Sequence, residues 1–288
     1  MAMVKNKSVG SRVFDVFNYI LLGLIGFVMV FPILFVIVGS FSATGMIGGF
    51  NSFSTDAYRY IFTTNVLARS TVNSVFITVV GTLINIAITS ITAYALSKKY
   101  LPGRKFFMGC VIFFMLFNPG MIPNYLVVNN LGLLNSYWSL WLPIAISAYN
   151  MVIMKNFFQG LPDSIEESAQ IDGCNDLQVF ARIVVPISKA SFATITLFYA
   201  VSHWNSYFNA MMYLDDINKW PIQVWLRQII VLSVGGFAGS ESLSEFAKVP
   251  SDAVKYAVIC VSTLPIVVVY PFLQKYFAKG ALLGSVKG

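Results

Sequence analysis

Along the chain, long apolar stretches without formal charge alternate with short intervals in which charges are crowded. Val16 to Phe41, Thr71 to Ser97, Ala190 to Leu214 and Tyr256 to Gln274 contain no Asp, Glu, Lys or Arg. A hydrocarbon core roughly 30 Å thick takes about 20 helical residues, so each run suits one crossing. Phe106 to Met154 is also charge-free but too long for a single crossing, and NNLGLLNS (Asn129 to Ser136) interrupts it with residues suited to a turn. The pattern therefore predicts an all-α membrane protein with six transmembrane helices at about 16–41, 71–97, 106–128, 137–154, 190–214 and 256–274, in one domain spanning residues 1–288. An even number of crossings puts both termini on one side. A β-barrel would need segments near ten residues of alternating hydrophobicity, and these solid runs do not alternate.

Composition agrees with this reading. The chain is 57% hydrophobic and only 11% charged, against about a quarter charged in soluble domains. Its 19 basic residues then fix the orientation, because cytoplasmic loops retain an excess of Lys and Arg. With the N-terminus inside, 13 lie inside, among them Lys98, Lys99, Arg104, Lys105 and Arg182, and six lie outside: Arg59, Arg69, Lys219, Arg227, Lys248 and Lys255. Both termini are thus expected in the cytoplasm. Topology accounts for the net charge of +7 without any nucleic-acid partner. The first run is too long for a signal-peptide core and no small-residue cleavage site follows it closely, so it reads as a retained signal anchor. Cys110, Cys174 and Cys260 form neither a disulfide framework nor a metal-type spacing. No metal site is expected.

Two outer segments are long enough for structure of their own. Ser42 to Ser70 contains GMIGGF and then DAYRYIF, which suits a short surface helix; Asp215 to Lys255 contains a capped, amphipathic ESLSEFAKVPSDAVKY. Within the second span, Thr89, Ala93 and Ser97 share one helix face and allow close helix approach.

The informative interval is 161–188, EESAQIDGCNDLQVFARIVVP at its centre. Pro162 precedes Ser164, and Glu167 follows Ser164 at the capping-box spacing, which predicts a helix from Ile165 with Glu166 and Glu167 in its first turn, where N–H dipoles favour negative charge. Gly173 suits the left-handed position that ends such a helix. Asn175 and Asp176 suit the cap of a second helix, with Leu177, Phe180, Ala181 and Val184 on one face, until Pro186 removes a donor. Helices this short are unstable alone in water. They need a surface to lie on.

The spacing Glu167, Ala169, Gly173, Ile183, Pro186 resembles the EAA loop of ABC importer permeases, with Ser168 and Val185 as mild departures. KKYLPGRKFF, GMIPNYLVVNNLGLLNS, HWNSYFNAMMYLDD and the ending KYFAKGALLGSVKG are similar to carbohydrate permeases of the maltose-type group, in its LplC/YtcP-like branch. The resemblance implies the type I ABC importer permease fold in the cytoplasmic (inner) membrane of a prokaryote. It also implies a heterodimer with a second permease, two cytoplasmic ATPase subunits carrying ATP and Mg, and an extracytoplasmic solute-binding protein. Glu166, Glu167, Ser168, Ala169, Asp172, Gly173, Ile183 and Pro186 would form the coupling segment seated in an ATPase groove. The outer segment around Gly235, Gly236 and Gly239 would reach the binding protein.

The chain carries no phosphate-cradling glycine loop of its own, and LSVGGF lies on the outer side, so no cofactor is expected on it. Neither a nucleophile with a base nor a metal cluster suggests an enzyme. The lone histidine, His203, suits a hydrogen bond between helices or the lining of a path. Trp204, Asn205, Tyr207, Asn209, Asn118 and Asn124 supply aromatic faces and amides that an oligosaccharide path would use, and helix packing is an equal reading of each. An ion-coupled carrier would place carboxylates within the spans; these spans have none. A permease of the same type for another solute stays open.

Overall fold

The computed structural model describes residues 9–43, 52–63, 65–233 and 252–285. Its helices are α1 (Val9–Ser40), α2 (Asp56–Thr63), α3 (Asn65–Ser97), α4 (Arg104–Leu116), α5 (Met121–Asn130), α6 (Trp138–Trp141) and α7 (Ala148–Gln159). After them come α8 (Asp163–Ile171), α9 (Asp176–Val179), a π turn at Phe180–Val184, α10 (Val185–Ile187), α11 (Lys189–Trp204), α12 (Tyr207–Tyr213), α13 (Ile222–Ser233) and α14 (Asp252–Ser285). Among the described residues there is no strand, only an isolated bridge between Ser42 and Phe53. Gly235, Gly236 and Gly239 lie outside the described residues, as do GMIGGF and most of the amphipathic stretch ahead of Asp252.

Among the described residues, three helices are long and apolar enough to cross a membrane: α1, α3 and α14 over Asp252–Val269. Other expected spans are broken, two of them at a proline. The run 106–128 bends by 117° between α4 and α5, at Asn118-Pro119-Gly120. Pro119 disfavours helical backbone at the residue before it, and Gly120 takes φ 84, which a side chain resists. The run 137–154 is interrupted over Leu142–Ser147, where Pro143 has no N–H to continue a helix. The run 190–214 divides into α11 and α12 at Asn205 and Ser206. The turn expected at 129–136 is present, with positive φ at Gly132 and Asn135.

The contacts fall into two compact units, residues 1–64 with 229–261 and residues 65–228 with 262–288. In the first, Phe41 stacks on Phe53 with ring centroids 5.5 Å apart, and Ser40 and Tyr58 share a 2.8 Å hydrogen bond. DAYRYIF forms α2 as expected. In the second, α3 is the hub, packing on α7 and α11. Thr89, Ala93 and Ser97 are all buried there, so the small-residue face is the one that admits its neighbours. One apolar cluster gathers Ala93, Met151, Met154, Val179, Val184 and Ile195; another gathers Ile77, Val128, Leu140, Trp141, Tyr213 and Val224.

Candidate functional site: the helix-glycine-helix joint and the buried polar node

Between α7 and α11 the chain makes two short helices about a glycine. The first, α8, starts at Asp163 with Pro162 as its N-cap and no side-chain cap. Ser164 and Glu167 therefore do not form the expected capping box, and the helix begins two residues earlier than the sequence suggests. Pro162 holds the extended backbone of an N-cap without one. At the other end, Gly173 adopts φ 86. Its N–H donates to Gln170 O at 3.0 Å and that of Cys174 donates to Ala169 O at 3.0 Å, the paired bonds of a Schellman cap. A Cβ on Gly173 would meet nothing within 4 Å, so the constraint is the left-handed backbone rather than crowding.

The second helix is capped reciprocally. Asn175 Oδ1 accepts from Gln178 N–H at 2.9 Å, and the Asn175 N–H donates to Gln178 Oε1 at 2.9 Å. The helix then widens into the π turn over Phe180–Val184. Pro186 supplies the cause, because it offers no N–H to the carbonyl four residues back and its ring clashes there. The wider turn puts Val179 and Val184, five residues apart, on the buried side with Phe180 and Ile183. Leu177 and Ala181, expected on that face, are exposed. Burying the two valines contributes about 1.5–3 kcal/mol each, which stabilises helices too short to persist alone.

Polar contacts clamp the joint to the end of α3. Lys98 pairs with Glu166, and its ammonium lies 4.2 Å from the centroid of the Tyr94 ring. Burial pushes the Lys98 pKa down, while the Asp176 and Asp163 carboxylates pull it back up. Tyr100 donates to Asp176 Oδ2 at 3.2 Å. Gln159 caps the α3 terminus by donating to Ser97 O at 3.2 Å, and Arg104 donates to Leu96 O at 3.0 Å. A cleft of about 280 Å³ opens between Lys98, Tyr100, Gln159, Glu166 and Gln170. Glu166 thus faces its own chain. Glu167, Ser168, Asp172 and Pro186 face outward, as do two large apolar side chains, Ile171 at 85% and Leu177 at 69% exposure.

A second polar assembly sits at the middle of α3. Asn85 Nδ2 donates to Ile144 O at 2.5 Å and Ala145 O at 2.9 Å, two carbonyls that the break at 142–147 leaves without helical partners. His203 Nε2 lies 2.5 Å from Asn85 Oδ1. The Asn85 amide nitrogen is occupied by carbonyls, so its oxygen must accept, and His203 carries its proton on Nε2. Tyr199 OH accepts from Ser147 N–H at 2.9 Å and is 2.7 Å from Thr89 Oγ1. A Cβ at Gly81 would lie 2.5 Å from His203 Nε2 and 2.8 Å from Trp141 Cδ1. Only glycine permits that approach. Irregular backbone at membrane depth is tolerated where such side chains satisfy it.

The residues expected along a substrate path separate. His203 and Trp204 are buried at helix contacts, Trp204 donating to Ser262 O at 2.8 Å. Asn205, Tyr207, Asn118 and Asn124 are exposed and Asn209 is partly so; Asn118 Oδ1 accepts from the Gly120 N–H and Asn205 donates to Val201 O. Asn85, Gly81 and Tyr199 are structural positions that sequence reasoning misses. An amide alone in the middle of a charge-free span is the available signal.

Residues 85–282 match the family model of the binding-protein-dependent transport system inner membrane component. The chain belongs to this family. It is accordingly a membrane-embedded, non-catalytic subunit of a transport system. It is 50% identical over 284 residues to the polygalacturonan/rhamnogalacturonan transport system permease protein YtcP of Bacillus subtilis, covering 96% of this chain and 99% of that one. It is 48% identical to protein LplC of the same organism, covering 96% of each. The crystal structure of a bacterial ABC transporter involved in import of the acidic polysaccharide alginate contains a chain that superposes with a TM-score of 0.87. That chain is 33% identical, and the match covers 95% of this chain and all of that one. The permease fold expected from the sequence is therefore present.

Proposed function

We propose that this permease is one of two membrane subunits of an ATP-driven importer of oligosaccharides. Its partners would be a second permease, two ATPase subunits that hold ATP and Mg, and an extracytoplasmic binding protein. The observation that carries the reading is the joint: two short helices locked to α3 and α7 on one side, presenting Ile171 and Leu177 to solvent on the other. Exposed apolar side chains on a rigidly capped element suit a protein groove better than water. In this reading the chain acts as one membrane domain with six crossings, the bent and broken helices each counting as one, and with both termini in the cytoplasm. ATPase closure would pull the joint and, through Lys98–Glu166 and Gln159, the end of α3. Asn205, Tyr207, Asn209, Asn118 and Asn124 are the candidates for sugar contact, and Gly235, Gly236 and Gly239 for contact with the binding protein.

Acidic oligosaccharides are the first substrates to test. The named relatives include transporters of polygalacturonan and alginate, and the spans of this chain hold no carboxylate to repel a uronate. The experiment is uptake of labelled oligogalacturonides into proteoliposomes containing the whole complex. Uptake that requires enclosed ATP and the binding protein, and resists ionophores, is expected. Uptake without ATP that ionophores abolish would overturn the reading in favour of an ion-coupled carrier.

A further inference from the structure

The chain leaving α3 presents two adjacent lysines to the joint, and they are not equivalent. Lys99 pairs with Asp163 at 3.6 Å, but the two side chains are 82% and 79% exposed, so water and salt screen the contact and it holds little. Lys98 pairs with Glu166 and its side chain is only 12% exposed. Its ammonium also lies 4.2 Å from the centroid of the Tyr94 ring, an attraction that strengthens as water is withdrawn. A cation taken out of water needs opposite charge close by.

The charges that answer Lys98 come from both short helices. Glu166 belongs to α8, and Asp163 opens the same helix. Asp176, in the first turn of α9, is drawn to the same place by two hydrogen bonds. Gln170 of α8 donates to its Oδ1 at 3.3 Å, and Tyr100, two residues after Lys98, donates to its Oδ2 at 3.2 Å. Burial pushes the Lys98 pKa down, and the Asp176 and Asp163 carboxylates act against that. The Tyr94 ring extends the grip: its centroid is 5.0 Å from that of Phe180 in the π turn and 6.1 Å from that of Phe158 on α7. Without the ammonium, Asp163, Glu166 and Asp176 would lose the buried cation that answers them.

We propose that Lys98 is the positioning residue that seats the joint on α3, one buried ammonium serving as the common counter-charge to carboxylates of both short helices. Local bonds about Gly173 give the joint its own shape. Lys98 gives that shape its place, so that a push on either short helix is passed to the end of α3. The proposal rests on the importer reading, which it deepens by naming the residue through which the joint holds a membrane helix.

The test places spin labels on Lys105→Cys and Leu177→Cys, both at exposed positions, in the full-length permease without its native cysteines, and reads the spread of distances between α4 and α9 in detergent. The parent should give one narrow peak. Lys98→Met, which keeps an unbranched apolar stem but no charge, should broaden it, while Lys98→Arg and the neighbouring Lys99→Met should leave it narrow. Adding Asp176→Asn to Lys98→Met should narrow the peak again, because it removes an unanswered charge from α9 yet keeps an oxygen for Gln170. In the assembled complex, ATP-driven uptake should fall about tenfold with Lys98→Met, the loss of one hydrogen bond to a charged group, and return with Lys98→Arg. A narrow peak in Lys98→Met, equal broadening by Lys99→Met, or no narrowing on adding Asp176→Asn would each overturn the seat. A peak that broadens and narrows as expected while uptake stays normal in Lys98→Met would leave the seat standing and overturn the importer reading of the joint.

Discussion

The joint at 163–187 and the node around Asn85 are both polar structures in an apolar protein, yet they are held by opposite means. At the joint, the contacts that set its shape are local: Cys174 to Ala169, Gly173 to Gln170, Asn175 with Gln178. At the node, the partners are distant in sequence: Asn85 with Ile144 and Ala145, and with His203. The joint turns outward with exposed apolar side chains, whereas the node is sealed. An element that must be recognised by another protein needs a fixed shape but little depth. One that must hold three helices across broken backbone needs depth and gains nothing from exposure. Damage to the node should therefore register as lost stability, and damage to the joint as lost coupling in a protein that still folds.

The sharpest break in this contrast is Asn85→Leu. It leaves two carbonyls and the His203 N–H unpaired in the interior, at about 1–3 kcal/mol for each group. The solubilised protein should melt on the order of 10 °C lower, as measured by thermal denaturation in detergent, and an unchanged melt would remove the structural role given to the node. Gly81→Ala comes next. Its methyl would press on the His203 ring and Trp141, at about 1–3 kcal/mol for overpacking, and the same denaturation should register a smaller fall. At the joint, Gly173→Leu forces a side chain into φ 86 at about 1–2 kcal/mol. Membrane insertion and the melt of the node should survive while ATP-driven uptake is lost; retained uptake would separate the turn from coupling.

The smallest effect is expected at the turn that carries Asp216. Asp216 has its pKa lowered first by the Asn218 N–H, with the Asn218 side chain, Lys219 and Arg69 adding to this. A carboxylate depressed in the folded state contributes stability that is complete above its ordinary value of 3.8 and is lost as pH falls through the lower folded value. Exchange of the Asn218 and Lys219 amides, corrected for intrinsic rate, should therefore quicken only under strongly acidic conditions.

Much of the joint is legible in the sequence, because caps and glycine turns are written in adjacent residues. Gly173 and Asn175 announce themselves in this way. The start of α8 does not, since Pro162 gives the N-cap backbone without the Ser164 capping box that the spacing favours. Nor does the π turn, which displaces Leu177 from the buried face. The long spans within α1 and α3 are plain from their charge-free runs, Val16 to Phe41 and Thr71 to Ser97. The breaks at Pro119 and Pro143 are visible as residues, but hydropathy alone averages over them, and only partners such as Asn85 decide whether backbone there unwinds or merely kinks. The node is beyond reach for the same reason: nothing adjacent to Asn85 or His203 specifies that they meet.

In the importer reading, the ATPase grips this chain at the segment about Gly173. A single cysteine at Ile171, in a background without Cys110, Cys174 and Cys260, should be captured by a short bifunctional thiol reagent onto an ATPase subunit of the assembled complex, with capture abolished by Gly173→Leu. If the complex hydrolyses ATP and transports while Ile171→Cys links to no ATPase subunit, the joint is not the coupling element.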